Sequence, residues 1–123
     1  MKKTAVVFSF VLLVVLSLSL AAPALAEAQM QCDHPMDTIA SLRDCVQHAY
    51  EQGYITNRGV YKTLLSEVNA AQIALDQGQV SAAIANLQAF IRTVSAQAGI
   101  TIDQEHADHM IMHAEMVIQA LGG

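Results

Sequence analysis

Three glycines do most to limit what this chain can fold into. Gly53, Gly78 and Gly99 each stand where an amphipathic pattern stops, and none of the three interrupts one. Glycine takes up the left-handed backbone that closes a helix without the steric cost of a Cβ, so glycines so placed read as helix C-caps. Between them apolar residues recur at three-to-four spacing, the period of a helix with one buried face. Ile39, Leu42, Val46 and Ala49 or Tyr50 form the first stripe and predict a helix from about Thr38 to Gln52, with Asp37 as its N-cap. Val60, Leu64, Val68, Ala71 and Leu75 predict a second, over Val60 to Asp76. Val80, Ile84, Leu87, Ile91, Val94 and Ala98 predict a third, over Val80 to Gln97. The last begins after Asp103 as N-cap and runs to about Leu121, burying Ala107, Met110, Ile111, Ala114, Val117, Ile118 and Leu121. Glu105 falls in its first turn, where the helix dipole favours a carboxylate.

The turn Asp76-Gln77-Gly78-Gln79 is so short that the helices on either side must form an antiparallel hairpin. Four amphipathic helices joined by short turns in about 85 residues imply an all-α fold, a compact four-helix bundle. Alanines flank the stripes and permit close helix approach.

Ahead of this pattern the chain changes character. Lys2 and Lys3 give a positive start, Ala5 to Leu20 form a nearly unbroken apolar run, and Pro23-Ala24-Leu25-Ala26 ends in a small-x-small site. That is the layout of a cleavable signal peptide over residues 1–26, a retained N-terminal anchor being the alternative. Residues 27–37 are then a short N-terminal segment carrying Cys32, and 38–121 the bundle domain. Export would place the protein in the periplasm or the medium. With the leader removed, Arg43, Arg58, Lys62 and Arg92 face all 11 acidic residues, a formal charge of 4 − 11 = −7. Phosphate backbones and anionic lipid repel such a chain, which argues against nucleic acid as partner, and leaves membrane attachment only to an uncleaved leader. Cys32 and Cys45 are the only cysteines, and in an exported protein the expectation is an intramolecular disulfide. It would close a loop of about 14 residues, a stabilisation of roughly 3 kcal/mol by chain entropy. Metal-ligating or exchanging thiols are the rival reading, but the short Cys-x-x-Cys spacing is missing.

The hairpin region carries a resemblance. The run Gly59-Val60-Tyr61-Lys62-Thr63-Leu64-Leu65 leads to Ala70-Ala71, Ala74-Leu75 and Gly78. Ala82-Ala83-Ile84 and Leu87-Gln88-Ala89-Phe90-Ile91 follow, then Val94-Ser95-Ala96-Gln97-Ala98-Gly99 and Ile102-Asp103, closing with Ala107, Met110-Ile111, Ala114 and Ile118. In this order they resemble the FIMAH domain, a small helical module of exported bacterial and archaeal proteins, and Tyr50 to Asn57 resembles its entry. The resemblance covers about Thr38 to Leu121. It implies an accessory module of the kind appended to secreted proteases, glycosidases and cell-surface proteins, with no catalytic residues to transfer and with Tyr61 and Phe90 as packing residues. The two cysteines and the histidines of the last helix lie outside the shared pattern.

Those histidines are the candidate chemistry. His109, Met112, His113 and Met116 form an i, i+3, i+4, i+7 ladder on one helix face. His109 and His113, one turn apart, can chelate one ion, and thioethers from Met112 and Met116 would bias it towards copper(I) over zinc. His106 stands about two turns from His113, roughly 10 Å along the axis, too far to share one ion easily. His34 and Met36 would add ligands if their segment folded against the last helix. The plainer reading has methionines padding the bundle edge, histidines on a solvated flank, and Asp108 and Glu115 pairing with them when protonated. A pH-sensitive histidine cluster is a third. Tyr50, Tyr54 and Tyr61 form either a binding patch or the packing of the first helix junction. There is no His-Glu-x-x-His pair, phosphate loop or Gly-x-Ser-x-Gly elbow, so no enzyme is expected, and no cofactor beyond a copper or zinc ion. The expected partner is another secreted or envelope protein, or a second copy of the chain.

Overall fold

A computed structural model describes residues 35–123. The expected signal peptide, Cys32 and His34 lie outside the described residues. Four helices follow in order: α1 (Ile39–Glu51), α2 (Arg58–Asp76), α3 (Val80–Gln97) and α4 (Gln104–Ala120). The described part is all-helical, as the stripes require.

Three of the four helix starts are fixed by a side chain that satisfies one of the otherwise unpaired N–H groups of the first turn. On α1 the cap is Thr38 and not Asp37, because the Thr38 hydroxyl accepts from the Ser41 amide at 3.2 Å. α2 begins at Arg58, ahead of the apolar stripe at Val60, because Asn57 Oδ1 accepts from the Val60 amide at 3.0 Å. Polar residues there extend the helix without adding to its buried face, so apolar spacing does not reveal them. Asp103 caps α4, accepting from the His106 amide. α3 has no side-chain cap and starts straight out of the hairpin turn. In that turn Gly78 has φ +74°, and the amides of Gly78 and Gln79 reach back to the carbonyls of Leu75 and Ala74 at 2.9 and 2.8 Å.

The helices form a closed ring. Consecutive helices pack on one another, α1 and α4 meet to complete the ring, and neither diagonal pair of backbones approaches as closely. This is the up-down-up-down arrangement that short turns impose. Leu42 and Val46, Leu64, Val68 and Ala71, Leu87, Phe90 and Val94, and Ala107, Ala114 and Val117 fill the middle. Two stripes are rotated from their expected positions. On α3 the inward line is Ala83, Leu87, Phe90 and Val94, while Ile84, Ile91 and Ala98 are half-buried and Val80 is exposed. On α4 the inward line is Ala107, Met110, Ala114 and Val117, with Ile111, Ile118 and Leu121 on the flank. A helix wedged between two neighbours buries a face aimed at the bundle axis and presses larger flanking side chains on each neighbour, so hydrophobicity alone misjudges its centre.

One end of the bundle is closed by its loops. The Thr56 amide donates to the Thr101 carbonyl and the Asp103 amide to the Tyr54 carbonyl, both at 2.9 Å. The α1–α2 and α3–α4 connections are thereby tied together, and Ile55 and Ile102, each 1% exposed, point into the core between them. No helix among the described residues is long and apolar enough to cross a membrane.

Candidate functional site

The seam where α1 meets α4 holds the chemistry. The rotation of α4 brings His113 inside, where it is fully buried against α1. Its Nε2 lies 3.0 Å from the hydroxyl of Ser41, which is itself buried. The Ser41 hydroxyl has one proton and a 2.9 Å path to the Thr38 carbonyl, while the Thr38 hydroxyl donates to it at 2.8 Å. With its proton given to that carbonyl, Ser41 accepts from His113, so Nε2 carries the ring proton and Nδ1 presents a bare lone pair. The opposite assignment would strand a buried N–H, the costlier orphan. Nδ1 meets no hydrogen-bond partner among the described residues.

His109, one turn earlier on α4, is half-buried, and its Nε2 is equally sequestered and unpartnered. The two rings stand edge to face, with centroids 6.4 Å apart and planes at 74°. From α1, one turn beyond Ser41, Cys45 brings its sulfur to the same point. One ligand atom from each of Cys45, His109 and His113 lies within 4.8 Å of the others. Among the described residues no cysteine is a free thiol. Burial, reinforced by the neighbouring His109 and opposed by Asp37, lowers the His113 pKa from its ordinary 6.5 to about 4. The ring is therefore neutral at pH 7 and its lone pair available.

The remaining candidates are dispersed. Met112 and Met116, 46% and 41% exposed, face outward, so the four-residue ladder does not form one surface: His113 has turned inside and the thioethers have not followed. His106 stacks on Tyr54, with centroids 3.5 Å apart and planes at 16°, and its Nδ1 lies 2.9 Å from Asp103 Oδ2. These hydrogen bonds from His106 hold the Asp103 carboxyl below the usual range. Tyr50 and Tyr61 stack on one another at 3.9 Å and 4°, bridging α1 to the start of α2. The three tyrosines thus fall into two separate stacks. Met36, just ahead of α1, is half-buried.

Residues 39–119 match the model of the FIMAH domain. The chain belongs to the FIMAH family. No curated protein and no solved structure matches it. The FIMAH match takes in both sides of the seam, Ser41 and Cys45 as well as His109 and His113, while Cys32 lies outside it.

Within this FIMAH domain two seam residues escape an apolar-stripe reading, Ser41 because it is polar and Cys45 because it counts as a core residue or half of a disulfide. The signal that finds them is their spacing: Ser41 and Cys45 sit one helical turn apart, as do His109 and His113 on the facing helix. A further buried polar group lies at the α2–α3 contact. Glu67 accepts from the Thr93 hydroxyl at 2.8 Å, its second oxygen has no partner among the described residues, and burial raises its pKa.

Proposed function

We propose that this chain is a non-catalytic accessory module, exported by its N-terminal leader, that offers a bundle face to another exported protein. The observation that carries the reading is the FIMAH match across all four helices, since FIMAH is a small accessory domain. The face proposed for contact is the outer side of α4, where Met112 and Met116 stand exposed one turn apart. Methionine suits such a surface because its unbranched, polarisable side chain repacks against differently shaped partners. The acidic balance of the bundle favours a basic or neutral partner over another acidic one.

Export also gives Cys45 its partner. In an oxidising compartment the expected pairing of Cys45 is with Cys32, the one other cysteine in the sequence. Thiol counting on the denatured, unreduced protein tests this: none is expected, and two would remove it.

The test of the module reading is crosslinked capture from the envelope and secreted fractions, followed by reconstitution with the purified captured protein. A binary complex that forms with wild type and is lost with Met112→Glu plus Met116→Glu is expected. A monodisperse monomer that captures nothing would falsify the reading. Capture of the chain by itself would replace the external partner with a second copy.

A further inference from the structure

The charges of the bundle are sorted by helix. α4 with its cap carries Asp103, Glu105, Asp108 and Glu115 and no Lys or Arg. α1 and its approach carry Asp37, Asp44 and Glu51 against Arg43 alone, so this pair of helices has a formal charge of 1 − 7 = −6. Its single cation is turned away, because Arg43 Nε donates to Asn69 Oδ1 on α2 at 2.9 Å. On α2 and α3, Arg58, Lys62 and Arg92 outnumber Glu67 and Asp76, a formal 3 − 2 = +1. Within the negative side Met112 and Met116 stand exposed, with Asp108 one turn before the first and Glu115 beside the second. Asp108, Met112, Glu115, Met116 and Gln119 are all exposed and share an arc of about 100° on α4. That arc lies opposite the inward line of Ala107, Met110, Ala114 and Val117, so no helix of the bundle covers it.

We propose that this outer face of α4 docks a cationic amphipathic helix of the partner, an apolar stripe flanked by Lys or Arg. The inference rests on the module reading above and gives it a partner class. The stripe would pack on Met112 and Met116, whose unbranched side chains adapt to its shape. Lys or Arg side chains on either flank would lay their stems along the methionines and reach Asp108 and Glu115 with their charged ends. A second copy of the chain fits poorly, because its own α4 brings the same carboxylates to the contact. Charge repulsion equally disfavours an acidic partner helix.

The probe is a labelled peptide of leucine and lysine, about five turns long and patterned as an amphipathic helix. One comparator replaces each lysine by glutamate, and another scrambles the same composition so that no stripe forms. Fluorescence anisotropy with the purified exported protein should show the leucine–lysine peptide bound most tightly, with an affinity that falls as salt is added. Met112→Ser plus Met116→Ser should weaken it by about tenfold or more. Asp108→Asn plus Glu115→Gln should weaken it by roughly two- to fivefold per charge removed. Ser66→Lys plus Gln88→Lys makes the same change in net charge on α2 and α3 and should leave the affinity unchanged, since a Debye length of about 8 Å screens charges across the bundle. No binding, equal binding of the scrambled peptide, or equal loss in the α2–α3 variant overturns the inference. Amide chemical shifts of the wild-type protein give a test free of any substitution: changes on adding the peptide should centre on Asp108 to Gln119, and changes centred on α2 and α3 count against the face. The module reading is tested apart. An exported partner captured through Met112 and Met116, with the cationic peptide ignored, would overturn this inference and leave the module standing. The peptide held on α4 with nothing captured would support the face and count against the module.

Discussion

At the scale of single residues, His113 sets a condition on stability that its neighbours do not. Its ring is buried, hydrogen-bonded on one nitrogen only, and lowered to a pKa of about 4 by burial first and the adjacent His109 second, with Asp37 pulling the other way. In the unfolded chain the same ring titrates near 6.5. Above 6.5 it is neutral in both states and costs nothing. Between 6.5 and 4 the unfolded chain takes up a proton that the folded one refuses, so stability falls as pH drops through this window and loses nothing more below it. The full loss amounts to about 3 kcal/mol. Urea unfolding of the oxidised protein at pH 7, 5.5 and 4 should show it. His113→Leu should flatten that slope, because Ser41 keeps Thr38 as acceptor and donor without the ring. A slope that survives the substitution would assign the effect to carboxylates elsewhere, Glu67 excepted: its raised pKa gives the opposite sign, favouring the folded state as acid is added.

At the scale of helices and turns, the ends carry separable contributions. Gly78 has φ +74° and a Cβ placed there would meet nothing within 4 Å. Gly78→Ala therefore costs backbone strain alone, about 1–2 kcal/mol. Its melting temperature should fall with no change in helical content, and a fall well beyond that range would mean the turn makes contacts not seen in the structure. Asn57→Ala removes the α2 cap and should cost about 1 kcal/mol in the same measurement. These elements were largely legible in advance. Gly53, Gly78 and Gly99 all have positive φ, the third helix has the expected bounds, and Asp103 caps the fourth. Less legible were the starts of α1 and α2 and the rotation of α3 and α4. Competition between Asp37 and Thr38 for one cap is decided by local geometry that composition does not carry. Likewise, the inward face of a helix depends on which neighbours flank it, so His113 reads as flank from its own helix and as core once α1 is in place. The seam was half legible: His109 and His113 stand out by spacing, whereas Ser41 and Cys45 acquire meaning only when α1 and α4 close the ring.

At the scale of the whole molecule, the ring of helices is asymmetric. Its hairpin, α2 with α3, is held by a tight turn, while α1 and α4 are far apart in sequence and depend on tertiary contacts to meet. Two such contacts exist: the seam itself and the tied loops, where Thr56 donates to Thr101 and Asp103 to Tyr54. The loops hold because Ile55 and Ile102 are driven into the core between them, each with only 1% of its surface left to water. Ile102→Ala should therefore act twice, leaving a cavity and loosening the loop tie that positions α4 on α1. The cavity alone is expected to cost about 2–5 kcal/mol, a large fraction of the stability of so small a domain. Hydrogen exchange separates the two effects. Uniformly faster exchange throughout the bundle would mean that only global stability has dropped. Selective loss of protection at the Thr56 and Asp103 amides, and along the α4 turn that carries His109 and His113, is expected instead. It would identify the loop tie as what keeps the seam closed.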